Sequence, residues 1–327
     1  MSVLNAILLA VVPTAIYGTL LWWLDRYEKE PLTLVAIAFT WGAAPAIALA
    51  VLFELVLAVP MAQSPLGPNS TRWSLAPLVE EPLKAVALFG LFVWARREID
   101  GPLDGIVYGA LVGFGFSMTE NAIYFLHAPD PSGLFLLRSV LFGLNHAFFS
   151  AVVGLAFGAI RYWQVRPLKV LTVLGGLLLA VLFHGLHNFL VAAVATLGML
   201  LSWLVQSTGI VAVLAVMILT WRNERRWMEQ ELGEEIHTGV ISHADYADTL
   251  SSTRRSRRQI QALLSSGWLA FRRVRRLQHL ITELAFCKSR VRLADRFQPC
   301  DETDLIRQEI IALRAAMEKD GMAWAEL

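Results

Sequence analysis

Residues 74–96 read SLAPLVEEPLKAVALFGLFVWAR. Apart from Arg96 at its end, this stretch carries charge only at Glu80, Glu81 and Lys84, in a run dominated by Leu, Val, Ala, Phe and Trp. About 20 helical residues cross the roughly 30 Å hydrocarbon core of a bilayer, so the stretch is long enough to span one. Six more stretches like it surround it. Together they predict spans at 3–24, 32–59, 74–96, 105–127, 134–160, 168–197 and 200–221. The breaks between them are polar or turn-forming: Asp25-Arg26-Tyr27-Glu28-Lys29-Glu30-Pro31, a Pro/Gly/Ser/Asn loop at 60–71, Arg96-Arg97-Glu98 to Asp104, Pro129-Asp130-Pro131, and Arg161 to Lys169. Only the last pair is weakly separated, near Gly198.

Composition agrees. The chain has 327 residues, 56% hydrophobic and 17% charged, against about 25% charged for a typical soluble protein. Residues 222–327 hold 18 of the 28 Lys+Arg and 16 of the 27 Asp+Glu. The expected fold is therefore all-α: a polytopic membrane helical bundle of about seven transmembrane helices, residues 1–221, followed by a soluble helical tail, residues 222–327. The net charge of +1 offers no bulk basic field, so nucleic acid is not an expected partner; the lipid bilayer is. The two cysteines, Cys287 and Cys300, both lie in the tail without metal-binding spacing. The N-terminus lacks a basic n-region, so the first apolar run reads as a retained span.

Counted loop by loop, with Arg138 assigned to the fourth loop and Lys169 to the fifth, Lys+Arg run two, one, two, one, three and none before the Arg-rich start of the tail. The positive-inside rule then puts the N-terminus outside and the tail in the cytoplasm. Within the tail, Trp268, Phe271, Val274, Leu277, Ile281 and Leu284 form an amphipathic stripe. Asp301 and Asp304 could open a last helix carrying Ile306, Ile310, Leu313 and Met317. This predicts a helical hairpin packing its own apolar faces. The alternative is a basic helix, with Arg272, Arg273, Arg275 and Arg276, lying on anionic lipid.

Ionisable groups inside a span cost about 2.5–3.5 kcal/mol each on insertion scales, so each needs a reason. Four clusters stand out: Glu80-Glu81-Pro82-Leu83-Lys84, Phe116-Ser117-Met118-Thr119-Glu120-Asn121, Asn145-His146, and His184-Gly185-Leu186-His187-Asn188. Glu80 and Lys84 share a helix face, as do His184 and Asn188. At about 1.5 Å per residue, Glu81 and Glu120 fall roughly 10 Å below the outer ends of their spans, and His146 and His184 roughly 18–20 Å. Four antiparallel helices thus place their polar groups at similar depth, which predicts one chamber enclosed by spans three to six. Glu81, Glu120, His146 and His184 are expected to converge, with Glu80 turned to Lys84 or the bundle wall. Glu54, His127, the Asp104-Gly105 cap and the Gly109, Gly113, Gly115 series read as structural.

Such a set could hold Zn or another divalent metal, with Glu81, Glu120, His146 and His184 as ligands. It could also work without metal, a buried carboxylate acting as base while His and Asn donate to the oxyanion. The competing class is a proton- or ion-translocating protein, or one that binds transmembrane helices without cutting them.

The motifs Glu80-Glu81-x-x-Lys84, Asp104-Gly105-x-x-Tyr108-Gly109, Phe116-x-x-x-Glu120-Asn121, His146 and His184-x-x-x-Asn188 together resemble the PrsW family of intramembrane proteases, relatives of the CAAX-processing and bacteriocin-immunity membrane peptidases. The resemblance covers roughly residues 75–190. It implies an intramembrane endopeptidase that cleaves a single-span membrane protein near its outer border, a site-1-type cut of an anti-sigma-factor-like substrate in stress signalling. It also implies site roles: Glu80 and Glu81 for water activation or metal binding, Glu120 and His146 completing the site, and His184 with Asn188 binding metal or stabilising the oxyanion. His187 would substitute for His184 if the helix were rotated.

Overall fold

A computed structural model describes residues 2–24, 30–63, 67–96, 98–99, 101–293 and 302–319. The loop Asp25-Arg26-Tyr27-Glu28-Lys29, and Arg97, Cys300 and Asp301, lie outside the described residues. The described chain is helical throughout: α1 (Val3–Leu24), α2 (Leu32–Trp41), α3 (Ile47–Ala62), α4 (Gly67–Trp94), α5 (Pro102–His127), α6 (Pro131–Phe135), α7 (Asn145–Ala159), α8 (Arg166–Ala193), α9 (Ala195–His237), α10 (His243–Thr249), α11 (Ser252–Leu293) and α12 (Thr303–Lys319). A π-helical turn, Gly42–Ala46, joins α2 to α3, and a second, Leu136–Leu141, follows α6. Contacts divide the chain into two compact units, one reaching to Ile218 and one beginning again at Leu219.

Among the described residues, five stretches are long and apolar enough to cross a membrane: Val3–Leu24, Leu32–Ala62, Pro131–Ala159, Arg166–Ala193 and Thr196–His237. The other two expected spans are helices too, α4 with 28 residues and α5 with 26. They carry the buried polar groups, and this lowers their apolarity. The protein is an integral membrane protein with an all-α bundle.

The first unit is built around α5, which is buried almost continuously from Leu103 to Ser117. Small residues let its neighbours approach this closely. Gly105, Gly109 and Gly113 lie one turn apart and each faces the backbone of α7, meeting Gly154, Ser150 and His146 in turn. On another face, Gly115 meets Phe39 of α2. The glycine series is therefore the packing device the sequence suggested. At the start of α5, the Gly101 N–H donates to the Asp104 carboxylate at 2.8 Å, and the buried Tyr108 hydroxyl donates to Glu30.

The expected fifth span is not one helix. It breaks at Phe142–Leu144, and α7 starts anew at Asn145. Backbone freed inside a bundle must find partners. Here the Tyr17 hydroxyl of α1 donates to the Ser139 carbonyl at 3.0 Å. At the first π turn, which contains Pro45, Thr119 of α5 donates to the Ala43 carbonyl at 2.6 Å. The break between the last two apolar helices falls at Val194 rather than Gly198, and α9 runs on to His237.

The second unit has its own core of Met228, Leu232, Ile241, Leu277, Leu280, Ile281, Leu284, Ile306 and Ile310. Val274, Leu277, Ile281 and Leu284 of the expected stripe are buried, and α12 buries Ile306, Ile310 and Met317. Trp268 departs from the stripe and is 64% exposed. The reason is local: Gly267, at φ 80°, breaks the helical phase just before it.

Candidate active site

Four helices of the first unit deliver the polar residues. Helix α4 supplies Glu80, Glu81 and Lys84; α5 supplies Glu120; the first turn of α7 supplies His146; α8 supplies His184. One ligand atom each from Glu80, Glu81, His146 and His184 lies within 4.8 Å of every other. Glu80, Glu81 and His184 are buried, and His146 keeps 11% of its side chain exposed.

The hydrogen bonds fix how the groups meet. Lys84 Nζ donates to Glu81 Oε1 at 2.6 Å and to Glu80 Oε2 at 3.4 Å. Its third acceptor is His146 Nδ1, 3.2 Å away. An ammonium can only donate, so His146 Nδ1 carries the lone pair and Nε2 the proton. Nε2 then donates to Glu120 Oε2 at 3.0 Å. His184 Nδ1 donates to Glu81 Oε1 at 2.8 Å. Glu81 Oε2 is buried with no hydrogen-bond partner.

This geometry changes one expectation and extends another. Glu120 stands behind His146, outside the compact group, while Glu80 bonds Lys84 as expected and joins that group as well. Glu80 Oε2 is 3.9 Å from His146 Nδ1 and 4.0 Å from His184 Nδ1, as well as bonded to Lys84.

His187 does not replace His184. Its Nδ1 is 2.7 Å from the Ser202 hydroxyl of α9, and its ring packs edge-on to Phe142. Asn188 is half-buried and bonds to none of the cluster residues. Arg138, on the π-helical turn, escaped the sequence reading. Its Nη2 donates to Glu120 at 2.5 Å, its Nε to Asn121 Oδ1 at 2.8 Å, and its guanidinium lies 3.9 Å from the Tyr124 ring centre. The signal was available: Arg138 is the one Lys or Arg inside the span expected at 134–160. Glu54, expected to be structural, lies within electrostatic reach of Glu120 and Lys84.

The donor set suits a divalent cation. Three carboxylates, Glu80, Glu81 and Glu120, face two fixed cations, Lys84 and Arg138, and Glu54 adds a further negative charge nearby. The partnerless oxygen of Glu81 is a donor in want of a cation. Two imidazoles with carboxylates are ligand types that zinc accepts. The carboxylate behind His146 is the usual companion of a ligating histidine, fixing its tautomer and orientation.

Residues 30–222 match the family described as PrsW family intramembrane metalloprotease. The chain belongs to the PrsW family. Its relatives include the protein named Protease PrsW of Geobacillus kaustophilus, 30% identical over 169 residues, covering 52% of this chain and 72% of that one. Proteins of the same name from Shouchella clausii and Bacillus subtilis are 28% and 27% identical, over 58% and 52% of this chain and 84% and 75% of theirs. No solved structure matches the chain. The chain is thus a peptidase, an intramembrane protease, and the site geometry lies inside the segment that defines its family. The tail beyond residue 222 lies outside that match.

Proposed function

We propose that the chain hydrolyses a peptide bond of a single-span membrane protein near the outer border of the bilayer, a site-1-type cut of an anti-sigma-factor-like substrate. One observation carries the reading: Glu80, Glu81, His146 and His184 converge within 4.8 Å, and Glu81 keeps a buried carboxylate oxygen that has no partner. The outer-side location follows from the proposed orientation, N-terminus outside and tail cytoplasmic, with α4 and α5 completing seven spans.

Glu81, His146 and His184 would hold a divalent ion, zinc by donor type, with the ion taking the place of the Lys84 ammonium at His146 Nδ1; when bound it polarises a carbonyl and acidifies water. Glu120 holds His146 in the tautomer that presents Nδ1 to the site, and Arg138 holds Glu120. Glu80 is the general base. It is the most loosely held carboxylate, with a single 3.4 Å hydrogen bond from Lys84. It lies next to both imidazoles, takes the proton from water and returns it to the leaving amine. Asn188, one turn from His184, offers an amide N–H to the oxyanion. Exposure falls along the chain of contacts: 25% at Arg138, 17% at Glu120, 11% at His146, 6% at Glu80 and none at Glu81. This gradient supports entry of water and substrate from the Arg138 side.

A second reading has its own support. Lys84 already sits as a cation among Glu80, Glu81 and His146, and could serve as the permanent counter-charge of a metal-free glutamate mechanism. The deciding assay is cleavage of a bitopic substrate by the purified protein with and without chelator, beside Glu81→Gln. Loss in both, with activity restored by zinc in the wild type, is expected. Full activity in chelator with loss in Glu81→Gln would establish the metal-free mechanism. Full activity of Glu81→Gln would sink the site assignment.

A further inference from the structure

The second unit contains a surface that the protease reading does not use. Between Asp248 and Glu283 the sequence has no acidic residue and eight arginines: Arg254, Arg255, Arg257, Arg258, Arg272, Arg273, Arg275 and Arg276. The structure folds this stretch into a hairpin. At Gly267, with φ 80°, α11 turns back on itself. Across the turn Gln259 donates to Gln278 at 2.8 Å and Gln278 to the Arg255 carbonyl at 3.4 Å, so the two arms run antiparallel.

The apex of the hairpin is apolar and faces outward. Ile260 is 56% exposed, Leu263 39%, Leu264 81%, Trp268 64% and Leu269 59%, and Trp268 stacks on Phe271 with ring centres 5.0 Å apart. Below this tip, Val274 and Leu277 dive into the unit's core, so the exposed set is a separate surface and not a frayed edge of that core. Arg258 and Arg276 are held by Asp248 and Glu309. Arg254, Arg257, Arg272 and Arg275 are exposed and pair with no acid among the described residues. A tip of aliphatic side chains and a tryptophan, collared by unpaired arginines, combines two demands. The tip needs an apolar medium and the collar needs anions just above it.

We propose that this hairpin tip docks on an anionic bilayer surface, with Leu263, Leu264, Trp268 and Leu269 entering the acyl-chain boundary and the arginine collar meeting lipid phosphates. A nucleic acid would satisfy the arginines and could stack on Trp268, but would leave four aliphatic side chains in water; lipid satisfies both sets. The chain's own membrane helices keep such a surface at hand. The proposal does not rest on the protease reading.

The test is hydrogen exchange of the full-length protein in lipid nanodiscs of phosphatidylcholine alone and of phosphatidylcholine with about one-third phosphatidylglycerol. Each arginine near an anionic surface adds roughly 5-fold to partitioning, so four add two to three orders of magnitude. Amides of residues 260–276 are expected to exchange at least tenfold more slowly in the anionic discs, an effect weakened at about 0.5 M salt. A variant with Arg254, Arg257, Arg272 and Arg275 changed to Gln, and separately Leu264→Glu with Trp268→Glu, should abolish the difference. Peptides from the buried core around Met228 and Leu232 report that these variants are folded. If a variant unfolds, the wild-type comparison between the two discs still decides. Equal exchange in the two discs overturns the proposal. So does protection that appears on adding a single-stranded oligonucleotide but not with anionic lipid.

Discussion

The glycine row of α5 sets the position of the site, and Gly113→Ala measures by how much. A Cβ on Gly113 would stand 2.6 Å from the Ala147 Cα and press directly on the His146 carbonyl. Both are backbone atoms, so no rotamer change can make room. Ordinary contact begins near 3.4 Å, so the start of α7 must retreat by about 1 Å. That retreat carries His146 with it. Its 3.0 Å hydrogen bond to Glu120 and its 3.2 Å contact with Lys84 both lengthen toward the limit of hydrogen bonding. A misplacement of about 1 Å in a catalytic group costs on the order of 10²-fold in rate. The expected result is a folded Gly113→Ala protein with turnover down about 100-fold and weakened metal binding. The control is Gly175→Ala on α8, where the new methyl meets nothing within 4 Å; it should cleave like the wild type. Cleavage of one bitopic substrate in detergent, with bound metal measured alongside, reads out both. If Gly113→Ala keeps wild-type turnover and metal content, then α7 is not what positions His146, and the argument linking glycine packing to the site is wrong.

Three further outcomes follow from the same geometry. Glu80→Gln should lower turnover about 10²–10⁴-fold with bound metal unchanged, whereas Glu81→Gln should lose metal as well; metal analysis of the purified variants separates the two roles. Arg138→Lys should not rescue Arg138→Gln, because a single ammonium cannot serve Glu120 and Asn121 in the forked geometry of the guanidinium; both variants should show metal affinity reduced about 10- to 100-fold. In the tail, burial pushes the Glu235 carboxyl up, but hydrogen bonds from Arg307 and Lys288 outweigh it and hold it below the usual range. A depressed folded-state pKa gives stability that is full above the unfolded value of about 4.3 and is lost as pH falls below it. Arg307→Ala should therefore destabilise the tail by about 1–3 kcal/mol at neutral pH and flatten its acid unfolding, as followed by hydrogen exchange.

The sequence could be read for this fold because a bilayer leaves few options. Long apolar runs had to be helices, and every buried charge had to meet a partner. The same logic brings Glu81, His146 and His184 together, as the structure does. It failed where a helix is not ideal. The break at Phe142–Leu144 has no proline to announce it; its freed Ser139 carbonyl is satisfied by Tyr17, 122 positions away in the chain. Arg138 was overlooked for the same reason, since it sits on the π turn that this break creates. Glu80 faces Lys84 as its spacing of four predicts, but its flexible side chain, two methylenes long, also carries the carboxylate to the two histidines, which helical spacing alone does not show. The exposure of Trp268 depends on a single positive φ at Gly267, and a hydrophobic stripe drawn at constant helical phase passes straight over it.

The charges of the site also explain why its helices assemble. Hydrogen bonds run unbroken from Arg138 through Glu120 to His146, on to Lys84 and Glu81, and end at His184. They cross four helices and the π turn. Each of these ionisable groups alone would cost about 2.5–3.5 kcal/mol to hold in the membrane. Removing one member leaves its neighbour buried and unpaired, which is worse than removing the pair. A substitution such as Lys84→Met should therefore damage assembly as well as chemistry, and activity alone cannot tell the two apart. The glycine contacts between α5 and α7 do not share this ambiguity. They set the distance between backbones and carry no charge, so a change there moves His146 while removing no ionisable group.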